Sequence, residues 1–331
     1  MQNTDKKAAV RPSQTVVTVE STNPRGRFEC WVGFLLGLAG LIGSRLGELW
    51  IAFDVFSQFT LQFGVVTLGF LIGLIIPRVK IFTAFVVVIA GLAAIGAWPH
   101  LASRSPQNLG LATDKEREIR IASFNTLYEN QNVDQVKAEI ARIDADVIAL
   151  IEFGPNKQSM LETLGQQYPH KAECFQEDYC QMAILSKHPI AKSLNKTNWD
   201  GPPMVVVEFG PELGNVTLFA AHTIRFPHAR AQLRQVQAMS NYMDTISGRK
   251  ILLGDFNATP FSRITRTIVA QTGLVRLTLL PSWPAQIVLP QFAIDHIFAS
   301  PEIRMIEEET IGERAGSDHF PISMKLAIPK G

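Results

Sequence analysis

Apolar residues divide the chain into an N-terminal part with long apolar runs and a C-terminal part with short ones. Residues 28–98 hold three long runs, which follow one another with almost no polar face. Such runs approach the roughly 20 residues that an α-helix needs to cross a bilayer. We therefore predict about three transmembrane helices, with buried core helices of a soluble protein as the alternative. The runs span residues 31–42, 61–76 and 81–98.

Basic residues around these runs predict an orientation. Residues 1–27 are polar, are expected to form a disordered cytoplasmic tail, and end in Arg25 and Arg27. A second basic segment, PRVK at 77–80, separates the second run from the third. Since basic loops favour the cytoplasmic side, both segments are predicted to lie inside the cell. Three crossings then place everything after Trp98 outside, in a multi-pass protein of the inner or plasma membrane.

The rest of the chain shows the pattern of an α/β domain. Residues 99–116, with prolines, serines and no periodicity, are predicted to form a linker. From 117 to 331, short apolar strands alternate with segments of helical spacing, which predicts two sheets packed as a sandwich. The predicted strands lie within 119–127, 146–153, 181–187, 204–209, 216–223, 250–257, 293–300 and 321–328, and the predicted helices within 132–143 and 228–246.

Charge and cysteine content narrow the range of functions. From residue 101 onward there are 23 Lys/Arg and 25 Asp/Glu, a net charge of −2 that does not favour nonspecific nucleic-acid binding. Cys30 lies in an apolar run and is expected to be a small buried hydrophobic residue. Cys174 and Cys180 are close enough to form a disulfide in an oxidising compartment, but their spacing equally allows two free thiols. The sequence has no CxxC or HExxH zinc pattern.

Polar residues stand at the ends of the predicted strands. Strand ends on one edge of a sheet can converge on one pocket. Carboxylate and amide oxygens suit Mg²⁺ or Mn²⁺, and histidines transfer protons near neutral pH. No serine or cysteine lies in a nucleophile motif, so activated water is the simplest nucleophile. The strand-end residues are Asn125, Glu152, His222, Asp255 with Asn257, Asp295 with His296, and Asp318 with His319.

Each of these residues also has a purely structural interpretation. Asn125 could form a turn, Glu152 could be a solvated strand end, and His222 could be a hydrogen-bonded core histidine. The segment GDFN at 254–257 is harder to explain in this way, because it sets two metal-competent side chains on a tight glycine turn. All the clusters together, in this order, favour a catalytic site.

The segments SFNTL, ALIEF, AAHT, LLGDFNATP, IDHIF and GSDHFPI resemble those of the endonuclease/exonuclease/phosphatase superfamily in order and spacing. The resemblance covers about residues 117–328. It implies a four-layer α/β/β/α sandwich and a metal-dependent hydrolase of phosphate esters. The membrane helices before the domain resemble a bacterial subgroup of membrane-bound members.

The resemblance also implies the metal ligands. Glu152 matches the principal metal ligand of the family, and Asn125 lies beside it. Asp318 matches an aspartate that touches the metal shell. The expected ion is Mg²⁺ or Mn²⁺.

The catalytic roles implied by the resemblance fall on five further residues. His319 matches the catalytic histidine, and Asp295 the carboxylate that holds its ring. Asp255 and Asn257 match the pair that orients the attacking water and contacts phosphate or metal. His222 matches a phosphate contact or general acid of the deoxyribonuclease and sphingomyelinase branches. The general base is either Asp255 or the Asp295–His319 pair.

These inferences predict a membrane-anchored phosphoesterase that hydrolyses a phosphodiester or pyrophosphate by activated water. Tethering to the bilayer favours a lipid-linked substrate, such as a polyprenyl pyrophosphate or a phospholipid, because it raises the effective concentration of lipid at the site. An extracytoplasmic nuclease is the alternative enzyme. A noncatalytic phosphate-binding module is a third interpretation, which the intact set of clusters disfavours.

Overall fold

The computed structural model describes residues 24–76, 81–175 and 180–330. Most of the predicted cytoplasmic tail and the basic turn at 77–80 lie outside the described residues. The N-terminal part is helical, and a 3-10 turn at Ile51–Phe53 follows its first helix. The helices are α1 (Pro24–Leu46), α2 (Asp54–Ser57), α3 (Thr60–Ile75) and α4 (Ile81–Arg104).

Two of these helices, α1 and α4, are long and apolar enough to cross a membrane. A third crossing results if Ile51–Ser57 and Thr60–Ile75, which meet at an angle of 57°, count as one broken span. Helix α4 continues to Arg104, so it includes the first residues of the segment predicted as a linker.

Glycines let α1 and α3 approach closely. A Cβ atom at Gly37 would lie 2.8 Å from the backbone nitrogen of Thr67, and one at Gly40 would overlap the ring of Phe63. Small residues at helix crossings are typical of packing in lipid, where dispersion contacts replace the hydrophobic effect. Cys30 is buried where α1 meets the other helices, as its apolar setting predicted.

In the C-terminal part, the described residues form two six-stranded sheets. The first has the strand order β11-β12-β1-β2-β4-β3, and the second β5-β6-β7-β8-β10-β9. The strands are β1 (Glu116–Asn125), β2 (Val147–Ile151), β3 (His170–Cys174), β4 (Met182–Ser186), β5 (Ile190–Lys196), β6 (Met204–Phe209), β7 (Thr217–His222), β8 (Lys250–Asp255), β9 (Val275–Arg276), β10 (Asp295–Ala299), β11 (Arg304–Ile311) and β12 (Ile322–Pro329). The helices are α5 (Val133–Ile143), α6 (Pro155–Gln158), α7 (Met160–Leu164), α8 (Ala229–Asp244) and α9 (Arg263–Thr272).

This arrangement confirms the predicted α/β sandwich with a helical layer on each outer face. Side chains such as Ile121 and Leu253 form the core between the sheets. Helix α5 packs on the outer face of the first sheet through Val136 and Ile140, and α8 and α9 cover the second. The amphipathic spacing of α5 and α8 explains why the sequence predicted both helices.

Helix α4 joins the sandwich at the end where β1 finishes. The Ser103 hydroxyl accepts a hydrogen bond from the backbone nitrogen of Ile311, the last residue of β11 (2.7 Å). The chain then descends along β11, with Leu109 N donating to Ile306 O (2.8 Å), and enters β1 at the opposite end. We call the end from which the helices rise the rim. It consists of segments 256–262, 279–294 and 312–321 and the residues that directly follow β1, β2 and β7.

Buried polar contacts fix the helical part to the rim. The Asp54 carboxylate accepts hydrogen bonds from the Arg263 backbone nitrogen (2.7 Å) and from the Ser262 hydroxyl, at the first turn of α9. The Gln58 side-chain oxygen accepts one from the backbone nitrogen of Thr259 (2.7 Å). Asp54 is only 2% exposed, so water cannot easily replace these hydrogen bonds. Breaking them would leave buried polar groups without partners, which costs free energy.

Candidate active site

Parallel strand pairs bring the predicted site residues to the rim. Asn125 is the last residue of β1, and Glu152 directly follows β2, which pairs with β1 in parallel. His222 and Asp255 end β7 and β8 in the other sheet, also a parallel pair. Since the carboxyl ends of parallel strands lie at one edge, four polar side chains face each other across the sandwich.

The first cluster at this edge contains Glu152, His222 and Asp255. One potential ligand atom from each lies within 4.8 Å of the others. His222 Nε2 is 3.6 Å from Glu152 Oε1 and 3.7 Å from Asp255 Oδ2. The side-chain amide of Asn125 donates to Glu152 Oε1 (3.2 Å) and Asp255 Oδ2 (3.0 Å), which links the two sheets.

Two of the candidate site residues adopt the left-handed backbone conformation. Asn257, at φ 47°, belongs to the residue types that tolerate it, whereas Glu152, at φ 51°, does not. Such strain costs of the order of 1–3 kcal/mol and typically accompanies function. In this conformation Asn257 Nδ2 donates to Thr223 O (3.0 Å) and lies 3.4 Å from His222 Nε2.

The second cluster centres on His319. Its Nδ1 lies 2.8 Å from Asp295 Oδ2, and its Nε2 lies 3.7 Å from Asp255 Oδ2. The Ser282 hydroxyl donates to the same Asp295 oxygen (2.6 Å). Asp295 therefore holds the His319 ring with Nε2 directed towards Asp255, and Asp255 belongs to both clusters.

Burial and charge set the protonation of this pair. Burial alone would lower the pKa of His319, but the Asp295 and Asp255 carboxylates outweigh it and raise that pKa to about 10. Burial raises the pKa of Asp255, against the opposing effect of His319. The two carboxylates therefore favour the cationic imidazole, which has an N–H to donate, and burial favours the protonated form of Asp255 over that of an exposed aspartate.

The donor set fits a divalent cation. Carboxylate and amide oxygens dominate it, as Mg²⁺ and Mn²⁺ prefer. Asp318 Oδ2 accepts from the Trp283 indole (3.2 Å), while Asp318 Oδ1 and Asp295 Oδ1 are buried and have no hydrogen-bond partner among the described residues. Buried carboxylate oxygens normally have a partner, so a bound ion or water is expected there.

Comparison with known proteins identifies the family. Residues 122–319 match the sequence profile of the Endonuclease/Exonuclease/phosphatase family, which covers more than half of the chain. The chain belongs to this family. Its members hydrolyse phosphate esters and in general depend on a metal. The protein is thus a metal-dependent hydrolase acting on phosphate ester bonds, as its sequence predicted.

Solved structures of the family share the fold at low sequence identity. A Beutenbergia cavernae member is 17% identical, with a TM-score of 0.51 over 64% of this chain and 72% of that one. Sphingomyelinase C from Streptomyces griseocarneus is 13% identical, with a TM-score of 0.52 over 64% of this chain and 99% of that one. A mannosyl-6-phosphatase from Bacteroides thetaiotaomicron is 14% identical, with a TM-score of 0.50 over 63% and 99%. No curated protein sequence matches the chain.

His296 lies apart from the other residues of the candidate site. Side chains of adjacent residues in a strand point to opposite faces, so His296 faces away from Asp295. Its Nε2 contacts Ala258 O (2.8 Å) and its Nδ1 the Thr278 hydroxyl (3.0 Å). Burial lowers the pKa of His296 to about 3, so the ring is neutral and supports the turn after β8.

Sequence reasoning missed the residues that hold the site in place. Ser282 and Trp283 orient Asp295 and Asp318, and the Ser317 hydroxyl donates to the Asn125 carbonyl (2.7 Å). The buried Lys157 side chain donates to the carbonyls of residues 127 (2.7 Å) and 128 (3.1 Å), in the turn that follows β1. Ser282, Trp283 and Lys157 lie outside the predicted strands and their ends, and Ser317, although it begins the SDH motif, was not predicted to hold Asn125.

Proposed function

We propose that this family member is anchored in a membrane and hydrolyses a phosphodiester or pyrophosphate bond of a lipid-linked substrate. In this proposal residues 28–98 form the transmembrane region, 99–116 the connection and 117–331 the catalytic domain. The single observation that carries the proposal is the position of the helices. The apolar helices rise from the rim, and the candidate site opens at this same end of the sandwich. The site would therefore face a bilayer that surrounds the helices.

Residues at the rim would hold the ion. We propose Glu152 as its principal ligand, with Asn125 beside it and Asp318 in the surrounding shell, and Mg²⁺ or Mn²⁺ as the ion. A bound divalent ion neutralises oxygens of the phosphate and thereby lowers the barrier to attack by water. The Asp318 Oδ1 atom, which has no hydrogen-bond partner among the described residues, and the Glu152–Asp255 spacing support this assignment.

The remaining site residues would act on water and phosphate. Asp255 is placed to accept the proton of the attacking water, because its pKa is raised and it contacts both clusters. His319, held by Asp295, donates through Nε2 to a phosphate oxygen in the transition state. Asn257 and His222, 3.4 Å apart, donate to the same group from the opposite side.

We further propose that the catalytic domain lies outside the cytoplasm. The basic residues flanking the apolar runs favour this orientation. The Cys174–Cys180 disulfide also supports it, since disulfides are rare in the reducing cytoplasm. Alkaline phosphatase fused after residue 110 should be active. An inactive fusion, together with an active cytoplasmic reporter at the same position, would contradict the orientation.

A substrate panel tests the activity. The full chain, purified in detergent with Mg²⁺, should hydrolyse a long-chain lipid pyrophosphate or a phospholipid and leave DNA and RNA intact. The His319→Ala variant provides the background rate. Cleavage of nucleic acid together with no turnover of either lipid would overturn the proposal and favour an extracytoplasmic nuclease.

A further inference from the structure

A cavity of about 230 Å³ lies between the N-terminal helices and the rim, and its wall is mainly apolar with uncharged side chains such as Gln58 and Gln291 among them. None of the described residues that line it carries a charge. One wall comes from α3 and α4, and the other from rim segments 256–262 and 279–294. Its lining includes Leu61 and Gln62 of α3, Trp98 of α4, and Leu279, Pro281 and Ala293 of the rim.

The rim wall of this cavity is built from the same segments that carry the candidate site. Pro281 directly precedes Ser282, whose hydroxyl holds Asp295. Ala293 directly precedes Ile294, whose carbonyl accepts a hydrogen bond from the backbone nitrogen of residue 256 (3.0 Å), next to Asp255. Ser282 thus stands between Pro281 and Asp295, and Ile294 stands between Ala293 and Asp295, so one residue separates the cavity wall from the candidate site at two places.

The rim segment 285–291 also lies against the side of α4. Val288 O lies 2.6 Å from His100 Nε2, and Gln291 Nε2 donates to Leu92 O (3.2 Å). Leu92 and His100 are eight residues apart, so this segment follows α4 over roughly 12 Å. Ile287 and Val288 nevertheless remain 58% and 62% exposed. Exposed aliphatic side chains at the depth of an apolar helix suit contact with lipid.

We propose that the cavity binds the hydrocarbon chain of the lipid phosphate or pyrophosphate whose head is hydrolysed at the rim. The inference rests on the proposed function and adds the binding site for the chain. Leu61 of α3 and Trp98 of α4, which line the cavity, are each 39% exposed on helices that would be surrounded by lipid, so a chain can enter from that side. It is smaller than the roughly 300–1,000 Å³ of pockets that enclose a drug-sized ligand, so it takes part of one chain.

Substitution of Leu279 by aspartate tests the chain site. Leu279 is 47% exposed in a loop, and its bond to Glu309 is made by its backbone nitrogen and not by its side chain. The measured quantity is the ratio of kcat/KM for a long-chain lipid pyrophosphate to kcat/KM for a short-chain, water-soluble pyrophosphate. Repulsion between the new charge and the phosphate affects both substrates and cancels in this ratio. Loss of contact with one or two methylene groups should lower the ratio by about tenfold.

Leu109→Asp is the matched control. Leu109 is also 47% exposed, lies in an irregular segment and donates its backbone N–H to Ile306 O. It lies along β11, away from the rim, so its ratio should equal that of the unaltered protein. If the unaltered protein prefers long chains and Leu279→Asp leaves the ratio unchanged, the chain site is wrong while the proposed function still stands. The absence of any lipid turnover in the unaltered protein would instead overturn the proposed function.

Photo-crosslinking gives a second measurement that does not depend on the folding of a variant. A lipid pyrophosphate with a diazirine near the first chain carbons should label peptides containing 279–293 and the start of α3. An excess of unlabelled lipid pyrophosphate should abolish the labelling. Labelling confined to lipid-facing parts of α1, with none in 279–293, would contradict the chain site.

Discussion

At the scale of single residues, the candidate site depends on Asp255, a carboxylate that is 1% exposed and lies between two histidines. A buried carboxylate is costly unless it is paired or bound to a cation. Asn125, His222 and His319 provide polar contacts on three sides. Burying the Asp255 carboxylate costs free energy, and the same burial makes this carboxylate well suited to accept a proton.

Asp255→Asn should lower turnover by at least about a hundredfold, since general acid–base groups typically contribute 10²–10⁴-fold. Glu152→Gln should lower it by at least about a hundredfold because the ion that neutralises the phosphate is lost. The two variants should differ in their response to metal. The amide that replaces the Glu152 carboxylate keeps its shape but lacks the charge that holds the ion, so activity should partly return at high Mg²⁺. The amide that replaces the Asp255 carboxylate cannot accept the proton, and added metal should not restore activity.

Steady-state kinetics against Mg²⁺ concentration measures the two metal responses, and circular dichroism of each variant checks that it is folded. Identical metal responses would contradict the division of roles.

Ser282→Ala should have a smaller effect than His319→Ala. Ser282 acts only through Asp295, so loss of one hydrogen bond of about 0.5–1.5 kcal/mol should lower kcat roughly 2- to 13-fold. KM should change little, because the hydroxyl is not expected to touch the substrate. Ser193→Ala, on the exposed face of β5, serves as the control. A Ser282→Ala variant as inactive as His319→Ala would mean that Ser282 takes part in the reaction directly.

The residue scale also shows what the sequence could reveal about the site. The predicted site residues each lie at or beside an apolar strand or in the SDH motif, and the fold brings them together. Ser282 and Trp283 precede Pro284 in a segment without periodicity, and they meet partners 13 and 35 residues away. No local pattern encodes such contacts, because they depend on how the rim segments pack.

At the scale of elements, buried strands were predicted and exposed ones were missed. Strand β8 is a continuous apolar run inside the sheet. Strands β5 and β11 lie at sheet edges and carry charged or exposed residues, so their hydrophobic pattern is weak. Edge strands need only one buried face and often carry charges that prevent pairing with other chains. Tertiary contacts therefore decide their conformation.

Strand β11 also contains a carboxyl group with a stability consequence. Burial raises the pKa of Glu309 to about 8, against the N–H groups of Leu279 and Leu280. In the unfolded chain the pKa returns to about 4.3, so the folded state loses stability as pH rises from about 4.3 to about 8. Glu309→Gln cannot ionise and still accepts both N–H bonds. Its melting temperature should rise relative to the unaltered protein between pH 5 and pH 8.

The control for this prediction is Glu302→Gln, at an exposed position just before β11. The pH dependence of its melting temperature should follow that of the unaltered protein. If Glu309→Gln shows the same pH dependence as the unaltered protein, the carboxyl is not protonated in the folded state.

The junction between α2 and α9 should stabilise the whole chain. Asp54→Ala leaves the Ser262 hydroxyl and the Arg263 N–H without their acceptor, at a cost of about 1–3 kcal/mol. Thermal unfolding in detergent should therefore occur at a lower temperature. Asp244→Ala, an exposed aspartate at the end of α8, should leave it unchanged. Equal melting temperatures for both variants would show that the helical part does not stabilise the catalytic part.

At the scale of the whole molecule, the path of the chain determines where the site faces. Helix α4 reaches the sandwich at Ile311, and the connection descends along β11 before β1 returns to the rim. The sequence predicted the apolar runs and the catalytic domain separately. It did not predict their relative position, because that depends on contacts between Asp54 or Gln58 and a loop about 200 residues later.

Depth measurement at Ile287 tests most directly whether the site faces the bilayer. A spin label is placed at Ile287, and at Leu109 for comparison, in full-length protein reconstituted into vesicles with Cys30 replaced and the Cys174–Cys180 disulfide intact. The label at 287 should relax with lipid-soluble oxygen and be shielded from a water-soluble nickel complex, while the label at 109 should show the reverse. Equal exposure of both labels to nickel would place the rim in water and contradict the account.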